Sequence, residues 1–107
     1  MRGMCLRFHF CEDPAEPGRP THEWLLQHAR SLGMPGASVF RAIAGFGRHG
    51  GLHEPRFGEL PGSQPILVEF LLTEDDARRL VDSLAGEPVA LAYARWPVEF
   101  GLVGGRS

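Results

Sequence analysis

The chain has 107 residues, which is enough for one domain with one hydrophobic core. Apolar residues make up 43% of the chain and charged residues 22%, an ordinary globular balance that argues against intrinsic disorder. The formal net charge of −2 provides no basic surface for nucleic acid or for an anionic membrane.

The first predicted element is a strand from Cys5 to Cys11. Leu6, Phe8 and Phe10 alternate with polar residues, which is the period of a half-buried strand. No apolar run before this strand is long enough for a secretory signal, and no later segment is long enough to cross a membrane. We therefore expect a cytoplasmic protein whose two cysteines stay reduced and which does not insert into membranes.

A loop over 12–20, which contains three prolines, separates this strand from a helix predicted over 21–33. Thr21 is the expected N-cap, and apolar residues then recur at helical spacing. Gly33 suits the position that follows a helix C-terminus. His28 falls on the apolar stripe of this helix, where we expect a histidine at the edge of the core.

A second strand is predicted over 37–46 and a third over 66–72. The segment between them, about 45–64, is rich in glycine and has little periodicity. A connection of this length inside a compact domain is usually functional. In the third strand Glu69 is the carboxylate expected to be partly buried. It could bind a ligand, but a salt bridge to an arginine at an interface is the expected arrangement.

The second helix is predicted to start at Thr73, because a capping residue is followed there by three acidic residues. Apolar residues over 77–85 then recur at the spacing of one helix face. Gly86 ends this helix. A last strand is predicted over 89–96, with an extension past Pro97.

The predicted order is β-α-β-loop-β-α-β within a single domain spanning 1–107. This order suits an α+β fold, the ferredoxin-like βαββαβ sandwich, in which an antiparallel four-stranded sheet carries two helices on one face. The other face includes Cys5, Leu67 and Leu71 and has too little charge to remain in water. An exposed apolar face usually marks an association surface, so we expect a homo-oligomer.

One face of the first strand carries Cys5, Arg7, His9 and Cys11. Two thiols and an imidazole are soft-metal ligands. However, ligands along one flat strand lie too far apart to close a tetrahedron, and free cysteine is usually a small buried hydrophobe. A structural role is the expected one.

The run 36–47, GASVFRAIAGFG, resembles the PII-like family called domain of unknown function 190, and the likeness covers nearly the whole chain. More distantly, the run 45–48 followed by Gly50 resembles the start of the T-loop in PII signalling proteins. The resemblance implies a homotrimer with its sheets packed towards the centre and effector sites in the clefts between subunits. It also implies that the 45–64 loop acts on a target protein, such as a transporter or an enzyme.

The candidate effector site is the base of that loop. Glycines admit the positive φ angles with which successive N–H groups surround an anion, and an arginine there could pair with phosphate or carboxylate. A small anionic effector, adenine nucleotides included, is therefore expected; the alternative is a tight strand exit without a ligand. The site comprises Gly45, Phe46, Gly47, Arg48 and His49.

The chain departs from PII signalling proteins at several places. His49 stands where PII proteins have glutamine, the segment 86–88 is shorter than their phosphate-binding loop, and the 45–64 loop has no tyrosine. All eleven basic residues are arginine. Any anion site must consequently use arginine, histidine or backbone N–H groups, and lysine-dependent chemistry is excluded.

Two alternative functions use the same loop. His49 and His53, with Glu54 or a residue of a neighbouring subunit, could form a zinc site, which would make the chain a divalent-metal-binding trimer of the cation-tolerance type. They could equally be two solvated histidines. A small enzyme using Arg48 and His49 is the last alternative, because no Ser-His-Asp or Cys-His arrangement occurs at a recognisable spacing.

Overall fold

The structure, a computed structural model, describes residues 1–12, 18–45 and 64–105. The element order is the predicted βαββαβ order, and the strands form one antiparallel sheet in the order β2-β3-β1-β4. The α+β ferredoxin-like prediction is confirmed. The elements are β1 (Arg2–Glu12), α1 (Thr21–Ser31), β2 (Ser38–Arg41), β3 (Gln64–Leu72), α2 (Glu74–Leu84) and β4 (Ala92–Glu99).

The core lies between the two helices and one face of the sheet. Alternation along β1 and β3 places every second side chain on this face, and the rings of Phe8 and Phe70 meet edge to face at 6.0 Å. Each fully buried side chain of this size contributes about 1.5–3 kcal/mol of hydrophobic free energy. The largest fully buried members of this cluster are Leu6, Phe8, Leu25, Val68, Phe70, Leu72 and Leu80.

The two helices begin in different ways. Thr73 caps α2 as predicted, because its hydroxyl accepts a hydrogen bond from the Asp76 backbone N–H at 3.1 Å. The prediction that Thr21 caps α1 is wrong: Pro20 occupies the N-cap position and has no side-chain acceptor. α1 also ends at Ser31, short of the predicted 33, with Gly33 following the C-cap at φ +84°.

Two strands have different bounds from those predicted. β2 covers only Ser38–Arg41 of the predicted 37–46. Its pairing with β3 ends at the hydrogen bond from Ala42 N–H to the Pro65 carbonyl, because proline has no N–H with which to return it. β4 begins at Ala92 instead of residue 89, since Leu91 packs against the core instead of pairing, and it continues through Pro97 as expected.

The predicted apolar face lies opposite the helices. We call it the open face; its largest exposed side chains are Phe40 of β2, Leu71 of β3 and Trp96 of β4, which are 47%, 46% and 38% exposed. Apolar side chains of this size in one patch are typical of a surface that associates. In the described part of the chain, no helix combines the length and apolar character that crossing a bilayer requires.

Candidate functional site

The predicted effector site begins where β2 ends. Gly45 is exposed, and no described atom lies within 4 Å of the position that a Cβ would take there. The other four predicted residues lie outside the described residues; they are Phe46, Gly47, Arg48 and His49.

The predicted metal ligands His49 and His53, and the accessory Glu54, also lie outside the described residues. Within residues 1–12, 18–45 and 64–105, no three His, Cys, Asp or Glu side chains are grouped so as to hold a metal ion. The metal site in the loop therefore stays a prediction.

Arg41 is a cation at the base of the loop to which the sequence analysis assigned no role. It is the last residue of β2, lies opposite Ile66 of β3 and is exposed. No described residue forms an ion pair or a hydrogen bond with its guanidinium group. The signal that could have identified it is its place in the family-like run 36–47, just before Gly45.

At the same end of the sheet, a carboxylate connects β1 to α1. Glu12 accepts a hydrogen bond from the backbone N–H of His22 at 2.5 Å, and its second oxygen lies 2.7 Å from His22 Nδ1. This carboxylate satisfies an N–H group that the proline N-cap leaves without an acceptor. Glu12 thus positions the start of the helix and is not available to a ligand.

On the open face, a charged pair lies among apolar side chains. Arg7 Nε and Nη2 donate to Glu69 Oε2 at 3.0 and 2.5 Å, and the Arg7 guanidinium carbon lies 5.2 Å from the centre of the Trp96 ring. The predicted pairing of Glu69 with an arginine is confirmed, but the prediction that the pair lies across an interface is not met, since the partner is Arg7 of the same chain. Because the two charges compensate each other, this face can be covered without burying a lone charge.

Two titratable side chains on this face, Cys5 and His9, have shifted pKa values. Burial, followed by the negative charge of Glu69, raises the pKa of the Cys5 thiol, which keeps it in the less reactive protonated form. Partial burial, followed by the nearby Arg7, lowers the pKa of His9.

A histidine and a serine meet between the helices, but their hydrogen bonds exclude a catalytic pair. Ser83 Oγ donates to the Leu80 carbonyl at 2.7 Å, so it must accept from His28 Nε2, which lies 2.8 Å away. The hydroxyl proton therefore does not point at the imidazole. His28, which also stacks on Trp24 at 5.2 Å, joins the two helices at the edge of the core, as predicted.

A shallow recess of about 480 Å³ lies at the other end of β2, between α1 and residues 34–37. Its floor includes Ala29, Met34 and Phe70, which are core residues. It is separated by the length of β2 from Gly45 and is not part of the candidate effector site.

Comparison of the sequence with known proteins identifies the same family that the run 36–47 resembles. The model of the family DUF190, described as "Uncharacterized ACR", matches residues 3–93. A curated relative, a UPF0166 protein of Aquifex aeolicus (strain VF5), is 34% identical over 82 residues, which are 77% of this chain and 78% of the relative.

Two solved structures share the fold. One is a putative PII-like signaling protein from Thermus thermophilus, with a TM-score of 0.55 and 19% identity, covering 91% of this chain and 89% of that one. The other is CPII bound to ADP, AMP and acetate, from Thiomonas intermedia K12, with a TM-score of 0.58 and 12% identity, covering 95% of this chain and 93% of that one. At these identities the likeness concerns the fold.

Proposed function

The chain belongs to the DUF190 family, and from this membership and its PII-like fold we propose that it is a regulatory protein of the PII-like kind and not an enzyme. The observation that carries the proposal is the agreement of fold along more than nine tenths of the chain with two proteins of PII-like description.

The effector in this proposal is a small anion. The CPII structure contains ADP, AMP and acetate, which all present phosphate or carboxylate oxygens. In this chain the run 45–49 supplies backbone N–H groups and Arg48, and Arg41 adds a second guanidinium at the end of β2. Adenine nucleotides and bicarbonate are the first candidates.

The assembly in this proposal is a homotrimer that covers the open face. Phe40, Leu71 and Trp96 leave water when the sheets face the centre, and the compensated pair of Arg7 and Glu69 enters with them. Each cleft between two copies is then a site for one effector. This is the arrangement that the family resemblance implies.

The regulatory step is a shift between two states of the 45–64 segment. The effector moves the equilibrium by as much as its affinity differs between these states. The favoured state binds or releases a target protein, such as a transporter or an enzyme.

Isothermal titration calorimetry and thermal unfolding of the purified protein test the proposal. The ligands are AMP, ADP, ATP, cyclic AMP, bicarbonate and zinc. We expect at least one anion to bind and to raise Tm. The double variant Arg41→Ala/Arg48→Ala should weaken that binding by about 10- to 100-fold, because a hydrogen bond to a charged group contributes about 1.5–3 kcal/mol.

Arg78→Ala is the matched control, because Arg78 lies on α2, pairs with Glu74 and Asp75, and carries the same charge. Its anion affinity should equal that of the wild type. Absence of any anion effect on Tm would refute the effector proposal. Zinc binding that is lost in His49→Ala/His53→Ala would support the metal-binding function in its place.

A further inference from the structure

The recess beside α1 has two walls and an apolar floor. One wall is a side of α1, and the other is the segment 35–37, which leads into β2. The core residues Ala29, Met34 and Phe70 close the bottom. The volume of about 480 Å³ lies within the range of about 300–1,000 Å³ that is typical of small-molecule sites. The recess is therefore large enough for a small organic ligand.

Apolar side chains line the walls of the recess as well as its floor. Leu26 is half-buried on the α1 wall, and Pro35 and Ala37 are exposed on the opposite wall. Val39 lies opposite the core residue Val68 and is thus on the helix side of the sheet, so Ala37, two residues earlier, directs its methyl group to the same side. Because such surfaces leave water when an apolar group covers them, we expect a ligand with a hydrocarbon body.

Arg30 is a cation of the recess that has no partner in the described part of the chain. It lies in the last turn of α1 and is exposed, and no described residue forms an ion pair or a hydrogen bond with its guanidinium group. A guanidinium group has parallel N–H donors that match the two oxygens of a carboxylate. Arg30 can therefore bind the acidic end of a ligand without losing an existing contact.

Further hydrogen-bond donors lie on both walls. Arg19 donates to Oε1 of Gln27, which leaves the N–H groups of the Gln27 amide for a ligand and holds a second guanidinium group near the recess. On the opposite wall, the backbone N–H groups of Gly36 and Ala37 have no acceptor among the described residues. The polar groups that a ligand meets here are mainly donors, which favours a ligand with acceptor oxygens.

Glu23 is the acidic side chain among the described residues that line the recess. It lies in the first turn of α1, seven residues before Arg30, and this separation corresponds to about 10 Å along the helix axis. With Arg19 and Arg30 both charged, the surroundings of the recess carry a net positive charge even when Glu23 is ionised. The charges therefore favour an anion whose acidic group lies at the Arg30 end.

We propose that the recess binds a small monocarboxylate with an apolar body. Its carboxylate pairs with Arg30, and its hydrocarbon part lies against Leu26, Met34 and Ala37. An inorganic anion would satisfy Arg30 but would leave the apolar walls in water, so both parts of the ligand are needed. This site goes beyond the proposed effector site, from which it is separated by the length of β2.

Amide NMR of the whole chain with hexanoate as the probe tests the proposal. Hexanol and hexylamine have the same hydrocarbon chain and are neutral and positively charged at neutral pH. We expect hexanoate to shift the amide signals of Gly36 and Ala37 saturably, with a Kd of about 1 mM or lower. Hexanol should bind at least about 10-fold more weakly, because it lacks the charge-assisted hydrogen bonds to Arg30.

Two variants test the two halves of the site. Arg30→Ala should weaken hexanoate binding by about 10- to 100-fold, whereas the control Arg78→Ala on α2 should bind as the wild type does. Ala37→Leu should abolish binding by filling the recess, whereas Ala37→Gly keeps the recess open and should retain it. If Ala37→Leu fails to fold, Arg30→Ala still decides, because Arg30 is exposed and makes no contact that folding requires.

The outcomes separate this inference from the proposed function. Equal affinities for hexanoate and hexanol, tighter binding of hexylamine, wild-type binding by Arg30→Ala, or unshifted Gly36 and Ala37 signals would each overturn it. The double variant Arg41→Ala/Arg48→Ala should bind hexanoate as the wild type does. A loss of hexanoate binding in this double variant would place the ligand at the base of the 45–64 loop and would also overturn the inference, while the proposed effector site would still stand.

Discussion

At Gly3 the backbone of β1 passes close to the end of β3. A Cβ atom at this position would overlap the carbonyl oxygen of Leu72 and lie 2.7 Å from Cε1 of Phe100. The carbonyl belongs to the sheet backbone and cannot rotate away as a flexible side chain could. The lack of a side chain at residue 3 is therefore a packing requirement.

Gly3→Ala should lower the free energy of unfolding by about 1–3 kcal/mol, because the added methyl group overpacks this contact. Urea unfolding followed by circular dichroism measures the change. Gly36→Ala is the control, since no described atom lies within 4 Å of its Cβ position and its φ is not positive. Equal stability of Gly3→Ala and the wild type would contradict the close approach.

The two helices differ in the side chain that accepts a hydrogen bond from an N–H group of their first turn. α2 is capped locally, because the Thr73 hydroxyl accepts a hydrogen bond from the backbone N–H of Asp76, three residues later. α1 is capped from a distance, by Glu12 at the end of β1. The first arrangement depends only on neighbouring residues, whereas the second depends on how β1 and α1 come together.

Thr73→Ala should cost about 1 kcal/mol of stability, the usual effect of removing a capping hydroxyl. Thr21→Ala should change stability by less than about 0.5 kcal/mol, because Thr21 lies inside α1 and its side chain makes no capping bond. Chemical denaturation of both variants measures the difference. A larger loss for Thr21→Ala than for Thr73→Ala would contradict the assigned N-caps.

For the molecule as a whole, the open face makes folding depend on pH. His9 lies on this face between Leu67 and Ala92, with Arg7, Glu69 and Cys11 as the polar groups around it. Although His9 is exposed, partial desolvation at the sheet surface, followed by the charge of Arg7, lowers its pKa from the ordinary 6.5, so the folded state favours the neutral imidazole. The unfolded chain binds the proton more readily, and stability therefore falls as the pH decreases through 6.5 towards the lowered pKa.

His9→Gln should remove this part of the pH dependence. Unfolding free energies of the wild type and the variant, measured from about pH 8 to about pH 5, should diverge below the ordinary histidine pKa of about 6.5, with the wild type losing more. Groups elsewhere in the chain titrate equally in both proteins and cancel in the difference. Parallel pH profiles would show that the His9 pKa is not lowered by folding.

The Arg7–Glu69 ion pair depends on the order of the strands in the whole sheet. The two residues are 62 positions apart and meet only because β1 and β3 are neighbours in the sheet. The position of Glu69 between two apolar residues predicts that it pairs with an arginine. The sequence contains eleven arginines and does not indicate which of them is the partner.

The sequence by itself determined the element order, the inward side chains of β1 and β3, the Thr73 cap and the apolar open face. Each depends on a period or a capping motif contained within a few consecutive residues. Only the tertiary structure decided the extent of β2, the replacement of a Thr21 cap by Glu12 and the partner of Glu69. These features depend on which distant segments become neighbours, and the free energy of those contacts arises only when the whole chain is folded.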